Sequence, residues 1–248
     1  MKGYYYDNFA LDYDLKRRKS WKPLENFVTY LKEKGYSFNG INIDLGCANG
    51  RNFKLFKNSK NKIIGIDSSL DLLQIANTNL RDHTQYDKRE SSNIQLILAD
   101  IRNLPIRPNI IHNIFSIATI HHIKSKEARN NILKQILESI KENGLILLTV
   151  WRKWQKKYKE EFFLNMVKRV FNPTYKRKQK EIGLDEFGDK IIPWTVSSTN
   201  LTYERFYHFF SKKELKKLVK NLRVKELKIL GGSTDKDNFF LLAQQFNP

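Results

Sequence analysis

The chain has 248 residues, enough to bury one substantial core, and reads as a single domain over 1–248. Its 45 Lys and Arg against 26 Asp and Glu give a net charge of +19, which favours polyanionic partners, nucleic acid first among them. A lone cysteine, Cys47, excludes an internal disulfide, and no Cys/His cluster offers a zinc site, so no metal is expected. Residues 1–40 form a helical prelude, in which Leu24, Phe27, Val28 and Leu31 share one face and Gly35 stops the helix. The start, Met1-Lys2-Gly3-Tyr4, lacks the apolar segment of a signal peptide.

Strands are expected at Ile41 to Leu45, Ile63 to Asp67, Ile94 to Ala99, Ile110 to Ala118 and Leu145 to Trp151. A helix should follow Asn49. Another should be capped by Ser68 or Ser69, with Leu70, Leu73, Ile75 and Ala76 as its apolar positions. Residues 81–93 read as a loop or frayed helix end. Ser125 to Lys141 reads as an amphipathic helix ended by Asn143-Gly144. The run Leu145 to Trp151 is too short to span a membrane, so a reducing, cytoplasmic setting without membrane contact is expected. The β-α alternation predicts an α/β fold, a mostly parallel sheet with helices on both faces. Residues 152–200 break that rhythm as a basic, aromatic insertion over the cleft, ending in an irregular Ile191-Ile192-Pro193-Trp194. Within 152–180 stand eleven Lys or Arg against only Glu160 and Glu161. An AT-biased genome inflates Lys everywhere, but it does not concentrate charge in this way. Closing strands are expected at Leu227 to Leu230 and Phe239 to Ala243.

The most informative stretch is Ile43-Asp44-Leu45-Gly46-Cys47-Ala48-Asn49-Gly50. A strand runs into a glycine turn, and the next strand closes on Asp67, the arrangement of a nucleoside-cofactor site. The form Asp-x-Gly-x-x-x-Gly resembles the class I methyltransferases that bind S-adenosylmethionine and predicts their Rossmann-like, seven-stranded fold. On that resemblance Gly46 and Gly50 shape the turn and Asp44 meets the cofactor's ammonium. Asp67 takes the ribose hydroxyls, Asp100 the adenine amine, and Ala118 closes the cofactor cleft. All sit at carboxyl ends of strands, where such sheets bind ligands.

Five further motifs occur in order: Arg17-Arg18-Lys19-Ser20-Trp21, Ser116-Ile117-Ala118-Thr119-Ile120-His121-His122, Ile192-Pro193-Trp194, Arg205-Phe206-Tyr207-His208 with Glu214-Leu215, and Asp237-Asn238-Phe239. Together they resemble the tRNA wobble-uridine carboxymethyl methyltransferases, which form methyl esters on 5-carboxymethyluridine. The resemblance runs from about Tyr5 to Gln244. Ala48 stands where the family usually has a second glycine, and Arg18 and Ser20 stand for its Tyr and Pro. The resemblance implies that Arg17, His121 and Arg205 hold a carboxylate and that Trp21 and Trp194 stack on bases. His122, Tyr207, His208, Asp237 and Asn238 complete the substrate side, and of the histidine pair His121 is favoured to face substrate. Lys156, Lys157 and Arg177 would follow the tRNA backbone. It also implies a small zinc-binding activator subunit on the edge strand Ile94 to Leu98. Two other readings remain, a methyltransferase for a small carboxylate or phenol, and a non-catalytic RNA-binding subunit.

Overall fold

In the computed structural model, which describes residues 5–58, 61–82 and 91–246, a seven-stranded sheet has the order β3-β2-β1-β4-β5-β9-β8. Its strands are β1 (Gly40–Leu45), β2 (Asn61–Asp67), β3 (Ile94–Leu98), β4 (Ile111–Ile117), β5 (Ile140–Trp151), β8 (Arg223–Leu230) and β9 (Asn238–Gln244). The first five pair in parallel, whereas β9 runs antiparallel to both β5 and β8. Leu45 lies opposite Ile66, Ile66 opposite Ile97, and Ile117 opposite Thr149, so the carboxyl ends of the central strands form one edge.

The central strands are apolar on both faces because helices cover both. On one face Ile114, Ile146 and Leu148 pack with Ile132, Leu133 and Ile136 of α5 (Lys126–Ser139) and Leu215 of α8 (Lys212–Leu218). On the other, Phe115, Leu147 and Phe240 meet Phe27 and Leu31 of α2 (Lys22–Glu33) and Phe53 of α3 (Phe53–Phe56). Each large side chain buried in this way contributes roughly 1.5–3 kcal/mol. The predicted face of α2, Leu24, Phe27, Val28 and Leu31, is buried throughout.

Several boundaries differ from expectation. The helix after Asn49 begins only at Phe53. In α4 (Leu70–Arg81), capped by Ser69, the apolar stripe is rotated. Leu72, Leu73, Ala76 and Leu80 are buried, while Leu70 is 49% exposed. Residues 83–90 of the expected loop lie outside the described residues. α5 stops at Ser139, before Asn143-Gly144, and β5 starts at Ile140, because Ile140 pairs with Ile111 across a bulge.

Ile191–Trp194 is not irregular. It lies in β6 (Asp189–Thr195), paired antiparallel with β7 (Thr202–His208) as a separate hairpin. A two-stranded ribbon leaves alternate amides unpaired, which suits Pro193. The hairpin shares an aromatic cluster, Tyr158, Phe162, Ile192, Tyr207 and Phe209, with α6 (Lys159–Phe171). α7 (Pro173–Glu181) follows, with no buried residue. At the other end of the chain, a 3-10 turn (Tyr5–Phe9) and α1 (Ala10–Lys16) pack on the hairpin through Phe9, Trp194 and Val196.

Candidate active site

A cleft of about 1140 Å³ opens at the carboxyl ends of β1, β2, β3 and β4 and is roofed by the hairpin and the amino-terminal segment. The turn after β1 forms its floor. Gly46 has φ +72°, and a Cβ there would lie 2.3 Å from Thr119 Cγ2. The position therefore needs glycine for both backbone and space. Asp67 accepts hydrogen bonds from the amides of Ala48 (2.8 Å) and Ser69 (2.9 Å), which brace the turn against β2. Ala118 directly follows β4 at φ +56°, its amide bonded to Thr149 Oγ1 at 2.9 Å. A left-handed backbone on a residue with a side chain is costly and clusters at functional sites.

Asp44 is 1% exposed, and neither carboxylate oxygen has a hydrogen-bond partner among the described residues. Burial, reinforced by Asp67, lifts its pKa to about 7. A buried carboxylate left unpaired is expensive unless a cation comes to it. The ammonium of an amino-acid-bearing cofactor is such a cation, so the orphaned Asp44, the Gly46 cradle and the strand-end acids Asp67 and Asp100 fit S-adenosylmethionine. Asp100 lines the cleft with Arg102 ion-paired to it.

The sequence-predicted residues divide between the cleft and elsewhere. Arg17, Trp21, Gly46, Asp67, Asp100, Ala118, His121, His122, Lys157, Trp194, Arg205, Tyr207, Asp237 and Asn238 all line it. Gly50 does not. At φ +75° it turns the chain over Phe53, whose ring a Cβ would strike at 2.6 Å. Asp44 stands behind the turn rather than on the surface. His208 lies outside the cleft, 1% exposed, with Nδ1 2.7 Å from Asp189, because alternate residues of β7 point to opposite sides. Glu186 joins those two in a group with donor atoms within 4.8 Å of one another. Arg129 already pairs with Glu186 at 2.7 Å, a protein cation in place of an ion. Lys156 and Arg177 are exposed, the latter 3.7 Å from Glu181.

The roles of several cleft residues also shift. Trp194 is only 8% exposed. Its ring stacks with Phe9 (5.4 Å) and Tyr13 (5.8 Å), and its Nε1 donates to Asp12 at 2.8 Å. The protein therefore already fills its stacking role. Asp237 accepts from Thr234 Oγ1 and Ser233 Oγ, building its own turn. His121 and His122 occupy a 3-10 turn rather than extended chain, so their rings do not diverge but sit 4.5 Å apart. His121 is 1% exposed, its Nδ1 accepting from the Trp151 amide, and His122 is the more open of the two.

Sequence reasoning missed the amino-terminal strap. Asp7 accepts from Ser69 Oγ at 2.5 Å, Asp14 from Asn49 Nδ2 at 2.7 Å, and Asp12 from the Ser197 amide at 2.9 Å. Tyr6 and Tyr13 thereby join the cleft wall. Three acids and three aromatic residues between Tyr6 and Asp14, in so basic a chain, were the available signal.

Electrostatically the substrate side is simple. Burial, with Arg205 nearby, lowers His121 well below the usual histidine value and His122 to about 4. Burial pushes Tyr207 up to about 12 and Tyr6 well above its ordinary value. The two histidines and two phenols are therefore neutral near pH 7. Arg205 lies over Trp194 (4.6 Å) and Tyr207 (5.2 Å), and its buried Nε has no hydrogen-bond partner among the described residues.

A protein-family model described as a methyltransferase domain matches residues 16–222. A tRNA (carboxymethyluridine(34)-5-O)-methyltransferase of Schizosaccharomyces pombe is 26% identical over 241 residues, 97% of this chain and 94% of that protein. The Saccharomyces cerevisiae protein of the same name is 27% identical over 175 residues, 71% of this chain and 56% of its own length. A SAM-dependent methyltransferase structure from Methanosarcina mazei aligns with a TM-score of 0.67 at 18% identity, over 88% of this chain and 98% of that one, a likeness of fold. With a family match over most of its length, a methyltransferase fold and a cleft suited to the cofactor, this chain belongs to the methyltransferase-domain family and is an enzyme that uses S-adenosylmethionine.

Proposed function

We propose that the protein forms the methyl ester of 5-carboxymethyluridine at the wobble position of tRNA. The observation that carries this reading is Arg205, a cation in the cleft with a buried, unpaired Nε and no ion pair among the described residues. A carboxylate acceptor supplies the missing partner. The Schizosaccharomyces pombe relative, aligned along nearly its whole length, bears the name of that activity.

S-Adenosylmethionine supplies a methyl group on a positively charged sulfur. A carboxylate is already a nucleophile at neutral pH, so the site needs no general base, and its neutral histidines accord with that. Held by Asp44 and the Gly46 turn, the cofactor would offer its methyl carbon to one carboxylate oxygen and would keep the carbon–sulfur electron pair on its sulfur, leaving as a neutral thioether. Opposite charges are lost, so a dry cleft favours the step. Arg17 and Arg205 hold the acceptor, and His121 supports it from behind. Trp21, half-buried against Phe240 at 5.0 Å, offers an edge for the base. Orientation supplies much of the remaining rate, with reacting atoms held about 3–3.5 Å apart.

In this reading the whole chain acts as one methyltransferase domain in the cytoplasm. Among the described residues no helix is long and apolar enough to cross a membrane. Lys156, Lys157 and Arg177 follow the RNA backbone. β3 is an edge strand with Leu98 54% exposed, and a small zinc-binding activator covers it.

The test is transfer of tritium from labelled S-adenosylmethionine to tRNA lacking the wobble ester, with and without that activator. Label released as volatile methanol by mild base supports the ester. Cofactor binding with no label on tRNA in either condition refutes it and favours a small-molecule acceptor.

A further inference from the structure

The acceptor side of the cleft is built from two parts of the chain that lie far apart in sequence. One is the 3-10 turn Ile120–His122, just past β4, with Ile123 after it. The other is the β6–β7 hairpin, which supplies Arg205, Phe206 and Tyr207. At the front they meet directly, with His122 Nδ1 3.0 Å from the Phe206 carbonyl oxygen. A carbonyl only accepts, so that nitrogen donates. Behind the cleft a third element makes the join. Arg129 of α5 is 2% exposed. Its Nη1 donates to the Ile123 carbonyl at 2.9 Å, and its Nη2 donates to Glu186 Oε2 at 2.7 Å. The guanidinium fork thus spans from the histidine turn to the loop that enters β6.

From Glu186 the bonds continue into the hairpin. The Glu186 amide donates to Asp189 Oδ2 at 2.7 Å, and the Asp189 amide donates to the Glu186 carbonyl at 3.1 Å, which closes a tight turn. Asp189 opens β6, stands opposite His208 in register and accepts from its Nδ1 at 2.7 Å. His208 adjoins Tyr207 and is three residues from Arg205 on β7. An unbroken set of bonds therefore links the turn bearing His121 and His122 to the strand bearing Arg205 and Tyr207. Arg129, Glu186, Asp189 and His208 themselves stand outside the cleft lining. A buried ion pair is a weak means of gaining stability, since apolar side chains of similar volume often do as well. An apolar pair has no directed bonds with which to fix the spacing of two backbone segments. A planar fork has two, and a lysine ammonium lacks that geometry.

We infer that Arg129 is a positioning residue that locks the histidine turn to the hairpin and so holds Arg205 and Tyr207 in working register with His121 and His122. The choice of acceptor in its test rests on the wobble-uridine reading above. The cofactor side is left alone, because Asp44, Gly46 and Asp67 stand on or beside β1 and β2 and none of these bonds reaches them. Loss of the fork therefore weakens acceptor binding and spares cofactor binding.

The test compares wild type with Arg129→Met and with the double variant Arg129→Met/Glu186→Leu. The single variant strands the Glu186 carboxylate and should lower the melting temperature. The double variant removes that carboxylate as well, so its melting temperature should return most of the way. Acceptor kinetics should not follow. In both variants KM for tRNA bearing carboxymethyluridine should rise about tenfold or more, the scale of one hydrogen bond to a charged group, while calorimetric affinity for S-adenosylhomocysteine stays within about twofold. A merely structural ion pair predicts that KM recovers together with the melting temperature. Amide hydrogen exchange gives a readout independent of turnover. Residues 119–124 and 186–190 should exchange about tenfold faster or more in both variants, with β1 and β2 unchanged. Unchanged exchange in either segment, or a KM that returns to the wild-type value with the melting temperature, overturns the inference. If the single variant does not fold, the double variant alone decides by the same two readouts. If wild type forms no ester on tRNA, the functional reading has failed, and the exchange of the two segments still decides whether Arg129 joins them.

Discussion

Asp44 links cofactor affinity to pH in a way the structure quantifies. Its pKa in the free protein is about 7, raised by burial first and by Asp67 second. An ammonium binds the ionised form, so acid must first be overcome by removing a proton. With a titration point near 7, affinity is close to its limit at about pH 8 and falls about tenfold by about pH 6, or 1.36 kcal/mol per unit in the acid limb. The product S-adenosylhomocysteine is a convenient ligand for calorimetry. Repeating the titration in buffers of different ionisation enthalpy should show release of about half a proton near pH 7. The ligand's own ammonium, held charged by its adjacent carboxylate to higher pH than a chain terminus, loses charge only above this range and there acts in the opposite direction. Asp44→Asn should therefore abolish the acid-limb loss and leave only the alkaline weakening. The same carboxylate works against the free fold. Because its folded value is raised, its contribution falls as pH climbs from about 4 to 7, and Asp44→Asn should raise the melting temperature of the ligand-free protein at pH 8. Affinity flat from pH 6 to 8, or an unaltered slope in Asp44→Asn, refutes the reasoning.

Three further outcomes are expected. Burial opposes ionisation of Asp12, but hydrogen bonds from Lys16, Ser197 and Trp194 win and hold its pKa down to about 2. Asp12→Ala should cost about 2–3 kcal/mol in chemical denaturation at pH 7, since it strands buried donors, and the difference should shrink as pH falls from about 4 towards 2. Gly46→Ala places a methyl against Thr119 at a left-handed backbone and should abolish detectable cofactor binding in calorimetry while circular dichroism stays native. Replacing Lys176, Arg177, Lys178 and Lys180 of α7 by Gln should leave cofactor affinity intact and weaken tRNA binding, reducing the salt slope by about one for each phosphate no longer neutralised.

Much of this protein was legible along the chain because its signals are local. Apolar runs ending in acids announced the parallel strands, a requirement of strands buried on both faces. The turn from Leu45 to Gly50 announced a cofactor loop, because a left-handed backbone against Thr119 admits only glycine at Gly46. Asp67, Asp100 and Ala118 lie on the cleft because they stand at or just beyond the carboxyl ends of their strands, and that position follows from topology. Side-chain direction and long-range partnership were beyond local signals. Whether a strand residue faces the cleft or the far side depends on register, which sent Tyr207 one way and His208 the other. A 3-10 turn gathered two histidines that an extended chain would have parted. Above all, the bonds of Asp7, Asp12 and Asp14 to α4, the hairpin and the glycine turn span dozens to nearly two hundred positions. The sequence alone therefore determined the sheet, the cofactor loop and the basic arm, whose causes lie within a few residues of one another. The neutral state of the histidines and phenols on the substrate side was decided only by the tertiary structure, because desolvation and the choice of hydrogen-bond partner exist only once distant segments have closed around the cleft.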